Sequence, residues 1–293
     1  MRRNLCLVAL LPALLGQAPA TSKPDPATAA AKARRERLLE LYRGEAAGYV
    51  IFRDAGRAEK VELRQDPAYV WTNPIRGGEQ DGAVFVWTCR GRAEVIATFF
   101  SYPSTGPRNL NHELHSLSTS VLKVSRPGGA NAWTPKAAGI EPTPIADAPS
   151  PAASPALRLA QIREITRTFS ASSEDLEGKR WELRLLPQPL FRSESTDPDV
   201  LDGAVFAFVT SAGTDPEVIL VVEARKPAGQ APAAPTWHFA IARFSDLRLK
   251  VRRKGAKVFA AEPIPWDSPD QDPKQRYRTF RDREIPPIEG EAR

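Results

Sequence analysis

The strongest constraint on what this chain can fold into is that it is written twice. Asp81-Gly82-Ala83-Val84-Phe85 returns as Asp202-Gly203-Ala204-Val205-Phe206, and Glu62-Leu63-Arg64 returns as Glu182-Leu183-Arg184. Glu94-Val95-Ile96 matches Glu217-Val218-Ile219, and Leu122-Lys123-Val124 matches Leu249-Lys250-Val251. The order is kept while the offset grows from 120 to 127 positions, as expected of a second copy that gained loop residues.

Each copy opens on a helical pattern. In the second, Pro155 suits a first turn, and Leu157, Leu159, Ile162, Ile165 and Phe169 mostly keep helical spacing, with Arg158, Arg163 and Glu164 between them. In the first, the stretch from Ala29 to Ala47 places Leu38, Leu39, Leu41 and Tyr42 inward and Arg34, Arg35 and Glu36 outward. Strand patterns follow. Val61 to Arg64 and Trp181 to Arg184 alternate apolar and polar, and two longer runs in each copy, Ala83–Cys89 with Glu94–Tyr102 and Ala204–Thr210 with Glu217–Ala224, read as hairpins. Val205 to Val209 and Val218 to Val222 are apolar on both faces, so these strands are expected at the centre of a sheet, with the face away from the helix covered as well.

The predicted fold class is therefore α+β, two tandem repeats, each a helix followed by a curved antiparallel sheet of about five strands. The first repeat covers residues 29–126 and the second 154–260. Residues 127–153, rich in Pro and Ala, read as a linker with an extended arm, and residues 261–293 as a C-terminal arm and tail, frayed after Ile285. Glu141-Pro142-Thr143-Pro144-Ile145 is echoed by Glu262-Pro263-Ile264-Pro265-Trp266, which predicts that each arm packs on the unit before it. Residues 21–28 and 228–235 read as flexible or loop-like.

Met1-Arg2-Arg3 precedes the apolar run Leu5 to Leu15, and Ala18-Pro19-Ala20 offers small residues for cleavage, so residues 1–20 read as a signal peptide and the mature chain starts near Thr21. An uncleaved anchor and a twin-arginine signal are the rival readings; Pro12 and the poorly fitting flanks argue against them. The expected location is exported, periplasmic or extracellular, with no transmembrane segment after cleavage. Cys6 leaves with the signal, so Cys89 is the lone mature thiol and internal disulfides are excluded; burial as a small apolar residue is expected for it. The net charge of +6 falls to +4 once Arg2 and Arg3 are removed, which suits weak attraction to an anionic polymer but not a dedicated nucleic-acid binder.

The run Gly82 to Thr88, then Glu94-Val95-Ile96-Ala97, then His112-Glu113-Leu114-His115-Ser116-Leu117-Ser118, resembles a family of exported proteins of planctomycete bacteria with no assigned activity. Leu185 to Leu190 and Asp202 to Phe208 extend the resemblance, which covers the chain from about Leu38 to Phe259. It implies export and the repeated layout, and brings no substrate or catalytic residue.

The sharpest polar cluster is His112, Glu113, His115 and Ser116. On a strand, His112 and His115 point to opposite faces and cannot share a metal, so no metal site is expected; Glu113 and His115 share a face and, with a nearby serine, are the candidate acid/base group. The second copy carries Phe239, Ala240, Ile241 and Ala242 there, so the fold itself does not require the polar groups. Candidate binding residues are Trp71 and Trp87, and the outward row Arg248, Lys250, Arg252 with Lys254, which reads either as a solvated edge strand or as a surface for an anionic polymer. The recurring acids Asp81, Glu94, Asp202 and Glu217 read as backbone caps, paired with Arg64 and Arg184. P-loop, Rossmann and G-x-S-x-G patterns are lacking and no cofactor is expected. The expected function is a non-catalytic binding or structural module of the cell envelope; the alternative is a small-molecule hydrolase or lyase-like enzyme acting through Glu113 and His115.

Overall fold

The computed structural model describes residues 26–54, 58–74, 80–129, 133–193, 195–210, 213–226, 234–265 and 272–288. The signal peptide expected over residues 1–20 lies outside them, as do most of the 228–235 loop and the last five residues. The first half runs α1 (Pro26–Ala47), β1 (Val50–Asp54), β2 (Ala58–Leu63), β3 (Tyr69–Asn73), β4 (Gln80–Cys89), β5 (Arg92–Pro103), β6 (Arg108–Ser116) and β7 (Leu122–Ser125). After β8 (Thr143–Pro144) the second half follows as α2 (Pro155–Thr166), β9 (Phe169–Glu174), β10 (Arg180–Leu185), β11 (Phe191–Ser193), β12 (Val200–Thr210), β13 (Pro216–Arg225), β14 (Thr236–Arg243), β15 (Arg248–Arg253) and β16 (Ala256–Ala261). The last strand among the described residues is β17 (Tyr277–Ile285). Helix α1 starts at Pro26, inside the segment expected to be flexible, because proline is well suited to a first helical turn.

The described part is mostly β. Its strands form two antiparallel sheets, ordered β17-β6-β5-β4-β2-β1-β7 with β3 on β4, and β16-β15-β9-β10-β12-β13-β14-β8 with β11 on β12. Read from opposite ends, the two orders correspond strand for strand except for β16. The registers correspond too: Thr98 faces Glu113 and Val221 faces Ala240; Phe99 faces His112 and Val222 faces Phe239. The expected five strands become eight and nine among the described residues, because β1 and β9, short β3 and β11, the two arms and β16 also pair.

The arms meet the expectation only in their first parts, where the Gly139 amide reaches the Ser118 carbonyl of the first half and the Ile264 amide the Asp246 carbonyl of the second. Thr143–Pro144, expected to pack on the unit before it, pairs instead with β14 of the half that follows, and the C-terminal arm pairs as β17 with β6 of the first half. Each arm thus closes the open edge of the other half. An unpaired edge strand leaves a row of backbone donors and acceptors unmet; the arms cover the edges at β6 and β14, while β7 and β16 stay edges among the described residues. Ile288, expected in a frayed tail, packs against the first half's core.

Both sheets are apolar on both sides because each lies between a helix and the other sheet. In β4, Ala83, Phe85 and Trp87 face α1, while Val84 and Val86 face the second half; in β12, Phe206 and Phe208 face α2, while Val205, Ala207 and Val209 face the first half. The layer between the sheets, with Ile96, Leu117, Ile219 and Phe244 among its members, is the cover that the double-faced strands required. At roughly 1.5–3 kcal/mol for each large side chain buried, it is the main force joining the halves.

The helices dock by a repeated ion pair. Arg34 reaches Asp81 at 2.6 Å and Arg158 reaches Asp202 at 2.8 Å. These contacts replace the expected pairing of the acids with Arg64 and Arg184; Arg64 lies over the Phe191 ring, and Arg184 is exposed. Arg158, expected outward, is buried while Leu157 is exposed, since the arginine takes the sheet-facing position to meet Asp202. Asp202 also caps a backbone amide as expected, that of Gly203 at 2.9 Å.

Candidate functional site

All nine residues of β6 are buried, although seven of them carry polar or charged side chains. Alternation divides them. Leu110, His112 and Leu114 face α1, while Glu113 faces the other sheet, so the two histidines lie on opposite faces as the strand pattern required.

On the helix side His112 enters an ion-pair network drawn from several distant segments. Its Nδ1 lies 2.8 Å from the Tyr49 hydroxyl, and its Nε2 lies 3.2 Å from a Glu45 carboxylate oxygen and 3.9 Å from Asp282. Arg126 bridges Glu45 and Asp282, and Arg283 does the same. Burial lowers the His112 pKa, against the opposing pull of the Glu45 hydrogen bond. Burial alone would raise Glu45, but hydrogen bonds from His112 and Arg283 hold it at about 2. Ligand atoms of Glu45, His112 and Asp282 lie within 4.8 Å of one another, the spacing of a metal site. Both carboxylates are already met by two guanidinium groups, so an ion would have to displace positive charge that is covalently tethered there. The arrangement locks β17 onto β6 and α1.

Between the sheets lies a cavity of about 360 Å³. Trp71, Thr98, Phe100, Glu113 and Thr279 line it from the first sheet, and Asp215, Phe244 and Asp246 from the second half. Its floor follows from register: Thr98, Glu113 and Thr279 are cross-strand neighbours on β5, β6 and β17 and share one face. Trp71 sits above Gly82 and donates from Nε1 to Thr98 Oγ1 at 2.9 Å. A Cβ on Gly82 would stand 2.3 Å from the indole, so a side chain there is excluded unless the ring moves.

Glu113 is 8 % exposed and accepts a 2.6 Å hydrogen bond from the Tyr277 hydroxyl. Burial pushes its pKa up to about 8; Tyr277 opposes the shift, and the charges of Asp246 and Asp215 add to it. His115 shares the face but is not part of the cavity lining. Its Nδ1 donates to the Ser116 carbonyl at 2.7 Å, and full burial pushes its pKa down to about 3. The Ser116 hydroxyl accepts from the Ser118 amide and is itself fully buried. Glu113 and Trp71 are therefore brought together, while His112, His115, Ser116 and Trp87 are placed elsewhere; Trp87 packs on Tyr49 and Phe99 at the helix face.

The basic row lies on β15, which is not an edge: β16 is hydrogen-bonded outside it, against the solvated-edge reading. Leu249 and Val251 are buried, and Lys250 and Arg252 are exposed, as the alternation required. Arg248 is paired with Glu174 at 2.6 Å and with Glu262 at 3.1 Å, and Lys254 pairs with Asp147. Cys89 is free and buried, its pKa raised by burial.

A second crevice, of about 500 Å³, has no signature in the sequence because its residues come from both halves. Arg92 is buried between Glu94 and Glu223, at 3.0 and 2.8 Å, and Arg53 reaches Asp197 at 3.0 Å. The Glu94 carboxylate thus binds guanidinium rather than capping backbone, while its carbonyl accepts from the Leu117 amide. Acids and arginines are matched here, which makes the crevice a polar stitch between the halves.

Among the described residues no helix is long and apolar enough to cross a membrane. In comparisons with known proteins, no family model, no curated protein and no solved structure matches the chain.

Proposed function

We propose that this is an exported, non-catalytic binding protein of the cell envelope whose ligand site is the cavity between its two sheets. The observation that carries the reading is that Trp71, Thr98 and Glu113 of the first half face Phe244 and Asp246 of the second across a preformed space. Small-molecule sites have this character: concave, largely apolar and aromatic, with a few convergent polar groups. Export rests on the basic start, the short apolar run and Ala18-Pro19-Ala20, and on the resemblance to exported planctomycete proteins.

The two halves are, in this reading, diverged copies of one helix-and-sheet unit, supported by matched strand order and register. Divergence then specialised one copy. Where the first carries Glu113 and His115, the second carries Ala240 and Ala242 at the same register, so one half contributes the polar floor and the other the opposing wall.

The enzymatic alternative keeps one observation in its favour, a Glu113 that holds its proton at neutral pH inside a cavity, as a general acid does. It lacks the partner base, because His115 is turned to the Ser116 carbonyl. A thermal-shift panel of sugars, amines, alcohols and carboxylic acids tests the binding reading. Hits are expected on the wild type and not on Ser245→Phe, which fills the half-buried rim of the cavity. Turnover of any hit that disappears in Glu113→Gln would replace the binding reading with the enzymatic one.

A further inference from the structure

We infer that the cavity between the sheets takes an organic cation, an amine or ammonium group carried on a small apolar body. The inference rests on the cavity being the binding site and adds the chemical class of its ligand.

Three carboxyl groups line the cavity, Glu113, Asp215 and Asp246, and among the described residues no lysine or arginine does. In a chain with a net charge of +6 this is not inherited from composition. The guanidinium whose charge reaches Glu113, that of Arg243, is engaged with the carbonyls of Ser245, Leu247 and Glu262 and lies over the Tyr277 ring at 4.9 Å. The remaining wall includes the rings of Trp71, Phe100, Tyr102 and Phe244, and ring faces attract a desolvated cation in addition to burying its hydrocarbon part.

The geometry separates an organic cation from a metal ion. Among the described residues the set of three Asp, Glu or His ligand atoms within 4.8 Å of one another is Glu45, His112 and Asp282, on the far side of the sheet. The three cavity carboxyls do not meet that spacing, and a volume of about 360 Å³ is at the small end of the ~300–1,000 Å³ usual for organic ligands. An anionic ligand would meet three acids and, among the described residues, no cation in the lining.

Glu113 is faced by Thr98 on β5 and by Tyr277 and Thr279 on β17, and the charges of Asp215, Asp246 and Arg243 reach it from the second half. In the fold it holds its proton to about pH 8. A bound cation stabilises the carboxylate, so binding releases a proton near neutral pH and tightens as pH rises toward 8.

Calorimetry with 2-phenylethylammonium, 2-phenylethanol and phenylacetate, three probes sharing one body, tests this on the full mature chain. The ammonium is expected to bind about tenfold more tightly than the alcohol, with proton release seen as a buffer-dependent heat, and phenylacetate not to bind. Glu113→Gln is expected to bring the ammonium down to the level of the alcohol, and Asp246→Asn, at the half-buried rim, provides the same comparison if the Glu113 variant does not fold. Alcohol or phenylacetate matching the ammonium, with binding still blocked by Ser245→Phe, overturns the cation and leaves the binding reading standing. Ammonium binding that survives Ser245→Phe moves the site elsewhere and overturns both. Calcium chloride competing with the ammonium overturns the cation class in favour of a metal, and no heat from any probe at millimolar concentration overturns it for amines, while the wider panel still decides the binding reading.

Discussion

Tyr277, on the last strand, donates a 2.6 Å hydrogen bond to the carboxyl of Glu113, which lies 164 residues earlier on β6. The bond joins the C-terminal arm to the floor of the cavity. Tyr277→Phe leaves the ring in place and removes the donor, so it is expected to cost about 1–2 kcal/mol in urea unfolding and to raise the Glu113 pKa further. A carbonyl band of protonated Glu113 that titrates as in the wild type would remove Tyr277 from this role.

Stability is expected to peak near pH 6.5 and fall on both sides. The carboxyl of Glu113, ordinarily at 4.5, is held at about 8 in the fold, so between these values the unfolded chain releases a proton that the native one keeps, and stability declines as pH rises. His115 runs the other way: its pKa falls from 6.5 to about 3, so the unfolded chain takes up a proton the native one refuses, and stability declines as pH falls below 6.5. His112 and His238, both lowered by burial, add to the acid limb. Each group contributes at most about 1.4 kcal/mol per pH unit. Melting temperatures from pH 4 to 9 check the profile, and Glu113→Gln is expected to flatten the alkaline limb and, because Glu113 opposes His115 between pH 4.5 and 6.5, to steepen the acid one.

Two glycines differ in what a methyl group would strike. A Cβ on Gly139 would lie 1.8 Å from the Ser116 carbonyl oxygen, which is backbone at the end of β6, whereas a Cβ on Gly82 would meet the Trp71 side chain. Gly139→Ala is therefore expected to destabilise by more than about 3 kcal/mol, and Gly82→Ala by about 1–3 kcal/mol with a shift in Trp71 fluorescence. Equal costs would mean that the linker yields at Gly139 as readily as the indole does at Gly82.

Retention on a heparin-like resin probes the β15 row as a site for an anionic polymer. Lys250→Ser with Arg252→Ser is expected to lower the salt needed for elution, and Arg248→Ser to change it little, because Arg248 already pairs with Glu174 and Glu262. Unaltered retention in the double variant would withdraw the row as a polymer site.

Much of the architecture is legible in residues near one another. The doubled Asp-Gly-Ala-Val-Phe run identifies the two central hairpins, and alternation along β6 puts His112 and His115 on opposite faces. The apolar faces of β12 and β13 announce a cover without naming it. Arg158 reads as outward because a charged residue in a helical pattern looks solvated until its partner, Asp202, is brought beside it.

The sequence by itself determined the doubled pattern, the hairpins and which face each β6 residue takes, since periodicity is a property of neighbouring residues. Only the tertiary structure decided that the arms cross between halves, that the sheets cover one another, and that Glu113 meets Tyr277 and Asp246 around one cavity. Those outcomes depend on which sheet edge and which apolar face remain open once each half has formed, and no local pattern records that.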